Sequence, residues 1–367
     1  MKLVIDVLLY IFAIFGLLKV ILFYRKRSLP KLQKTSISIV IPARNEEGRL
    51  PRLLESIKNQ TERPLEVIVV NDGSDDHTDR IALSYGVKLI HAQLPPGWVG
   101  KSYACYLGAK EAIGDVILFL DADVFLKEDF LEKIGGKISD NTVFSIQPYH
   151  KVVKFYEHFS LFFNLVSLLG ILGKRFNSNG HFAYGLFGPC LLFPKKLYEE
   201  TGGHALVKDS ILEDLDLGVE LLKRGIQVVT FPHNYLIGYR MYEYGIKSLL
   251  LGWLKNLSEG AAKAPFIRIL QVIGIVATSF MPIFIIKGKF FLGGSSSIYY
   301  LLLLAYLTYL LLVFFALREI GSVSLLDVVL WPLHSLFFTL VFLFSIILKI
   351  TGVKVPWKGR KVNKIRF

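Results

Sequence analysis

Apolar residues crowd the two ends of this 367-residue chain, and between those ends they alternate with polar ones. The first run, residues 3–24, is interrupted only by Asp6 and Lys19 and has about the length of one helix across a bilayer. It lacks a small-residue cleavage site, so it reads as a retained anchor. Three further apolar runs lie near the other end, at 267–286, 298–317 and 325–348. The first of these is the weakest, because it holds Arg268, Gln271, Thr278, Ser279 and Pro282. Between the ends, β-rich apolar runs at 36–42, 65–72, 87–92, 116–123 and 143–149 alternate with helical segments at 50–59, 78–85 and 102–113. The first four runs are bounded by polar turns, as strands buried on both faces are. Repeated βα units predict an α/β domain with a mainly parallel sheet, its ligand beyond the strand carboxyl ends. The chain therefore divides into an anchor (1–24), one domain (35–265), a membrane region (266–348) and a basic tail (349–367).

Charge orients these parts. Arg25, Lys26, Arg27, Lys31 and Lys34 follow the anchor, and positive residues stay on the cytoplasmic side, so the domain is expected to face the cytosol. Three full C-terminal spans would put the tail outside, yet it carries Lys349, Lys354, Lys358, Arg360, Lys361, Lys364 and Arg366 and no acid. If 267–286 lies in the interface or re-enters, the other two runs form a hairpin and the tail returns inside. That multi-pass topology in the cell membrane is the expectation. Two shorter elements extend it: 159–172 is apolar but too short to span, and 246–257 places Ile246, Leu249, Leu250, Trp253, Leu254 and Leu257 at helical spacing. The second reads equally as a headgroup-plane helix or as a core helix.

Composition narrows the function classes. Hydrophobic residues make up 53% of the chain and charged ones 20%, below the roughly 25% of an average soluble domain, which excludes disorder and a purely soluble single domain. The 43 Lys and Arg against 30 Asp and Glu leave +13, most of it flanking apolar runs, and no aromatic–basic strand pattern points to nucleic acid. Cys105 and Cys190 sit in no CxxC or Cys/His cluster, so neither zinc nor a disulfide framework is expected.

The strand ends carry the candidate chemistry. One run enters Asn71-Asp72-Gly73-Ser74-Asp75-Asp76, and another enters Asp121-Ala122-Asp123. On an extended chain Asp121 and Asp123 would share a face and suit Mg2+ or Mn2+ completed by phosphate oxygens and water. A third cluster, Glu213-Asp214-Leu215-Asp216, opens a helix through Lys223; capping accounts for one such acid, not for three in four residues. PPGWVGKS at 95–102 fails as a nucleotide-triphosphate loop because Pro95 replaces the required glycine, but Lys101 still opens a helix where it can reach a diphosphate.

Together, IPARNEE at 41–47, VNDGSDD at 70–76, GWVGKS at 97–102, FLDADV at 119–124 and ILEDLDLG at 211–218 resemble a family 2 glycosyltransferase of the GT-A, Rossmann-like fold. The later segments at 239–261 and 356–361 resemble its membrane-bound branch acting on lipids such as carotenoid acids. By position, the resemblance implies that Asp72 binds a uracil-type base, with Ala43, Asn45 and Glu46 lining the nucleoside pocket. It implies Lys101 near the donor ribose or diphosphate, Asp121 on ribose or sugar hydroxyls, and Asp123 on the metal. Asp214 would be the catalytic base, supported by Glu213. Processive members carry QxxRW after the base, a string missing here; Arg240 and Trp253 lie in the same general region without reproducing it and are read as substrate-binding. The resulting expectation is a single inverting transfer from a nucleotide-diphosphate sugar to a membrane lipid, with a processive polysaccharide synthase or an inactive membrane binding protein as alternatives.

Overall fold

The computed structural model describes residues 2–25, 35–134, 141–175, 181–233, 235–291, 296–353, 355–357 and 360–362. Lys26, Arg27, Lys31, Lys34 and the tail residues Lys354, Lys358, Lys364 and Arg366, which carry much of the topology reading, lie outside them.

After a 24-residue helix α1 (Lys2–Arg25), the chain enters alternating units: β1 (Ile37–Ala43), α2 (Leu50–Lys58), β2 (Glu66–Asn71), α3 (Thr78–Ser84), β3 (Lys88–His91), α4 (Gly100–Glu111) and β4 (Val116–Leu120). Then follow β5 (Val124–Leu126), α5 (Phe130–Lys133), β6 (Thr142–Gln147), β7 (Tyr149–His150), α6 (Ser160–Ile171), β8 (Leu172–Arg175), β9 (His181–Ala183), β10 (Cys190–Pro194) and α7 (Lys195–Thr201). The domain ends with α8 (Glu213–Lys223), β11 (Gln227–Pro232), β12 (Ile237–Tyr239) and α9 (Ile246–Lys263). The nine-stranded sheet runs β3-β2-β1-β4-β10-β6-β11-β9-β8. β3, β2, β1 and β4 are mutually parallel, as βα alternation requires, whereas β10 enters antiparallel to both β4 and β6. The sheet is thus mixed.

Period-two burial drives this half. Ile39 and Ile41 point into one core with Leu50, Leu53, Leu54 and Ile57 of α2, while Val40 points into the other with Ala104, Cys105 and Ala109 of α4. Small residues let α4 approach: a Cβ on Gly108 would sit 2.4 Å from Val40 Cγ1.

A third core is helical. The remaining helices are α10 (Phe266–Ser279), α11 (Met281–Phe291), α12 (Ser296–Ile320), α13 (Leu325–Val329) and α14 (Trp331–Thr351). α6 is buried nearly all round and packs among α1, α9, α10, α12 and α14, with Trp253 stacked on Phe163 and Trp331 on Phe162. The stripe of α9 faces inward: Leu249, Trp253 and Leu257 are buried, and only Ile246 at its start is well exposed. Of the two readings of that stripe, this is the core helix. α1 crosses α10 at Gly274, where a Cβ would lie 2.4 Å from Leu9 O, a small-residue contact typical of helices in lipid. Among the described residues, three helices are long and apolar enough to cross a bilayer: Val4–Arg25, Ser297–Ile320 and Trp331–Thr351. The weak run at 267–286 is broken, its two helical parts bent by 44° after Ser279, just ahead of Pro282. It therefore has the form of either a broken span or a re-entrant element.

Candidate active site

Strand register builds the site. Ala43 lies beside Asn71 at the ends of parallel β1 and β2, so the turns leaving them are neighbours. Asn71 Oδ1 accepts from the N–H and hydroxyl of Ser74 at 2.8 and 2.7 Å, which shapes the acidic turn. Asn45 adopts a left-handed φ of 53°, which asparagine tolerates. Its N–H donates to Ser74 Oγ at 3.0 Å and its side-chain carbonyl accepts from Asp75 N–H at 2.9 Å. Asn45 thereby ties the two turns together. Asp72 and Glu46 are buried beside it, Glu46 N–H donating to Thr78 Oγ1 and its carboxylate accepting from Arg49 at 3.2 Å.

Asp121 and Asp123 leave β4 differently from the extended pair expected. Val124 N–H closes on Asp121 O at 3.1 Å, so the two acids occupy a turn. Antiparallel β10 sets Cys190 opposite Leu120, and this brings the preceding loop to the same edge, where Asp121 N–H donates to Pro189 O at 3.1 Å.

Lys101, in the first turn of α4, is the centre of the acidic cluster. Its ammonium lies 2.9 Å from Asp121 Oδ1, 2.8 Å from Glu213 Oε1 and 3.1 Å from Asp214 Oδ2. Residues from three distant parts of the chain thus meet around one positive charge, supplied by the protein itself. Burial raises the proton affinity of Asp214, Lys101 opposes that rise, and the charges of Glu213 and Asp121 add to it, leaving the group well above the usual carboxylate range. Burial acts the same way on Glu213, but Lys101 and then Lys255 outweigh it and hold that carboxyl low. Two adjacent carboxyls pushed apart in this manner can divide acid and base roles.

The backbone approaches Asp214 closely. A Cβ on Gly188 would stand 1.8 Å from Asp214 Oδ2 and 2.5 Å from its Cγ. Gly188→Ala should therefore displace the carboxylate and, for the transfer expected from the sequence, lower kcat about 10²-fold, the typical loss for a misplacement near 1 Å, with donor affinity retained. Steady-state kinetics beside a donor-binding isotherm checks this.

One cavity of about 630 Å³ joins these groups, inside the roughly 300–1,000 Å³ typical of small-molecule sites. Ala43, Glu46, Asp72 and Lys101 line it, as do Asp121, Asp123, Glu213 and Asp214. Its far part is apolar and runs between α6, α9, α10 and α14, past Val166, Trp253, Leu257, Val272 and Phe338. Asn45 and Arg240 are outside the lining. Arg240 instead braces the fold, its guanidinium on Glu157 at 2.7 Å and Glu243 at 3.3 Å. Sequence alone passes over Arg44, whose guanidinium donates to Asp72 O, and also Gly188 and Arg268, which line the same cavity. The available signals are glycines just ahead of β10 and a cation inside an apolar run.

Among the described residues, no three Asp, Glu, His or Cys side chains converge as a ready-made metal site. Asp123 beside Asp121 is a donor set for a hard cation that takes most of its shell from phosphate and water, so the residues fit a metal arriving with its substrate.

Comparison with known proteins agrees with this geometry. The sequence model of glycosyl transferase family 2 matches residues 38–202. A 4,4'-diaponeurosporenoate glycosyltransferase of Staphylococcus aureus strain USA300 is 34% identical over 338 residues, 89% of this chain and 88% of the relative. Its counterpart in strain bovine RF122 is 35% identical with the same coverage. Among solved structures, a mannosyltransferase from Pyrobaculum calidifontis, in complex with GDP-Man and Mn2+, aligns with a TM-score of 0.56 at 16% identity. The alignment covers 93% of this chain and 99% of that one.

Proposed function

This chain belongs to glycosyl transferase family 2, and we propose that it transfers a single sugar from a nucleotide-diphosphate sugar of the UDP type to a lipid acceptor, a long apolar acid of the carotenoid kind, with inversion. The carrying observation is the continuous cavity that joins a carboxylate cluster at the strand ends to an apolar passage between membrane helices. A soluble acceptor would need no such passage. The curated relatives' name supports the acid acceptor. The GT-A neighbour solved with a nucleotide sugar supports the donor class.

In this reading Asp72, Glu46 and Ala43 hold the nucleoside in the pocket between the first two turns. Lys101, at the positive end of α4, faces the diphosphate. Asp123, with Asp121 alongside, would hold Mg2+ or Mn2+, which when bound neutralises charge developing on the leaving diphosphate. The acceptor oxygen attacks the anomeric carbon from the face opposite the diphosphate; a hydroxyl gives its proton to Asp214 as it attacks, whereas a carboxylate attacks with none to lose. Glu213, held ionised, keeps Lys101 in place. One base suffices because a diphosphate leaves without acid assistance, unlike the two-carboxylate arrangement of hydrolysis. With QxxRW missing and Trp253 packed on Phe163, single transfer is favoured over chain growth. Residues 35–265 form the cytosol-facing catalytic part, anchored by helices on both sides in a multi-pass arrangement.

The test uses the full chain in phosphatidylcholine vesicles with a UDP-sugar, Mg2+ or Mn2+, and a long-chain polyene acid. Glycolipid of inverted anomeric configuration should form, at one sugar per acceptor, and a chelator should cut the rate by at least about tenfold. Retained configuration or a lengthening glycan would overturn the reading.

A further inference from the structure

Arg268 lies in the first turn of α10, inside an apolar stretch flanked by the exposed side chains of Phe266 and Ile267. Only 8% of it is exposed, and it lines the apolar part of the cavity. Its Nη1 donates to Gln271 Oε1 at 2.8 Å, and Gln271 is itself buried, but its Nε is buried with no hydrogen-bond partner. Among the described residues no carboxylate pairs with it, whereas Arg49, Lys101 and Lys263, which share the cavity lining, each meet one. Lys19 of α1 is close enough for its positive charge to interact with Arg268, and Lys19 is engaged with the carbonyl of Gly173 at 2.6 Å. Two cations thus stand near one another in an apolar setting.

A buried guanidinium with only an amide for company is costly unless an anion joins it, and an ionisable side chain at membrane depth marks a binding site or a pathway. We propose that Arg268, oriented by Gln271, recognises the carboxylate of the acceptor and thereby selects an acid over a neutral lipid. The inference rests on the acceptor reading above and deepens it. A planar fork facing a planar carboxylate can form two parallel hydrogen bonds, and the idle Nε–H supplies one of the donors. The neighbouring cations also offset the repulsion that an anionic acceptor would otherwise meet from Asp121, Glu213 and Asp214. Arg268 is a specificity-determining residue, distinct from the groups that handle the donor.

The experiment compares the full chain with Arg268→Gln and Arg268→Lys in phosphatidylcholine vesicles, using a long-chain polyene acid and the primary alcohol of the same skeleton. Arg268→Gln should raise KM for the acid at least about tenfold, with KM for the alcohol and acceptor-free release of UDP unchanged. Arg268→Lys should recover part of the loss. Binding is read separately, by the tryptophan quenching expected of a polyene in a cavity lined by Trp253, and only the acid should lose affinity in the variants. Equal losses for acid and alcohol, or no loss, would overturn the proposal. So would a loss that occurs only when anionic phospholipid is present, since Arg268 would then bind lipid phosphate. If the wild type glycosylates neither compound, the acceptor reading fails, and quenching still decides whether Arg268 binds the acid.

Discussion

Asp214→Asn is expected to lower kcat for transfer to the primary alcohol of the polyene skeleton by about 10²- to 10⁴-fold while the donor binds as before. The amide keeps the shape of the carboxyl and can still form a hydrogen bond to the acceptor, but it cannot take up a proton. An acceptor hydroxyl must lose its proton at neutral pH, whereas an acid bound as the carboxylate has none to lose. The hydroxyl route therefore depends on a base of high proton affinity, which is what burial and the charges of Glu213 and Asp121 make of Asp214. The pH dependence follows in sign. The active form has Asp214 ionised, so kcat/KM falls as pH drops through its raised value, and the acid limb lies above the range of an ordinary carboxylate. Glu213, held low, stays ionised across that window and adds no second limb. A pH–rate profile whose acid limb sits near pH 4, or an Asn variant within about threefold of wild type, would remove Asp214 from this role.

How much of this was legible without coordinates depends on the range over which each signal acts. β1 through β4 and the helices between them stand within three residues of where periodicity puts them, because β1, β2 and β4 are largely buried and each turn is polar, with β3 half-buried at the sheet edge. The acids at 72, 121, 123, 213 and 214 were legible from their places at strand ends and at a helix start. The antiparallel insertion of β10 was not, since its pairing with β4 and β6 is a long-range choice with no local code. Gly188 escaped notice because its role is an empty space beside a residue 26 positions later in the chain. Arg268 reads in one dimension as a flaw in a membrane span, and only packing turns it toward a cavity. Arg240 misleads in the opposite way. It lies only in the general region of the processive members' QxxRW, and Glu157 and Glu243, at different distances along the chain, claim its charge.

Lys101→Met is expected to be the most damaging change outside the acids themselves. The ammonium is the positive charge common to Asp121, Glu213 and Asp214, and in the proposed reaction it also faces the donor's diphosphate. Losing a preorganised charge at a leaving group costs about 10²- to 10³-fold in kcat. Removing it also leaves three carboxylates facing one another. The proton affinities of Glu213 and Asp214, both lowered by Lys101 in the wild type, then rise, so the acid limb of the variant moves further up in pH than that of the wild type. Stability follows the same sign. In the folded variant the carboxyls bind protons more tightly than in the unfolded chain, so their contribution is a penalty that grows as pH rises through the raised values and fades as pH falls. The deficit against wild type should be about 1–3 kcal/mol near pH 8, below the usual cost of breaking a buried pair because Lys101 is 32% exposed. It should shrink toward pH 5. Lys101→Arg, which keeps the charge, should keep the stability and lose only part of the rate. Thermal melts of the detergent-solubilised chain at both pH values, read beside kcat, separate the two roles: a deficit independent of pH would mean that Lys101 supports packing and does not order the protons of the site.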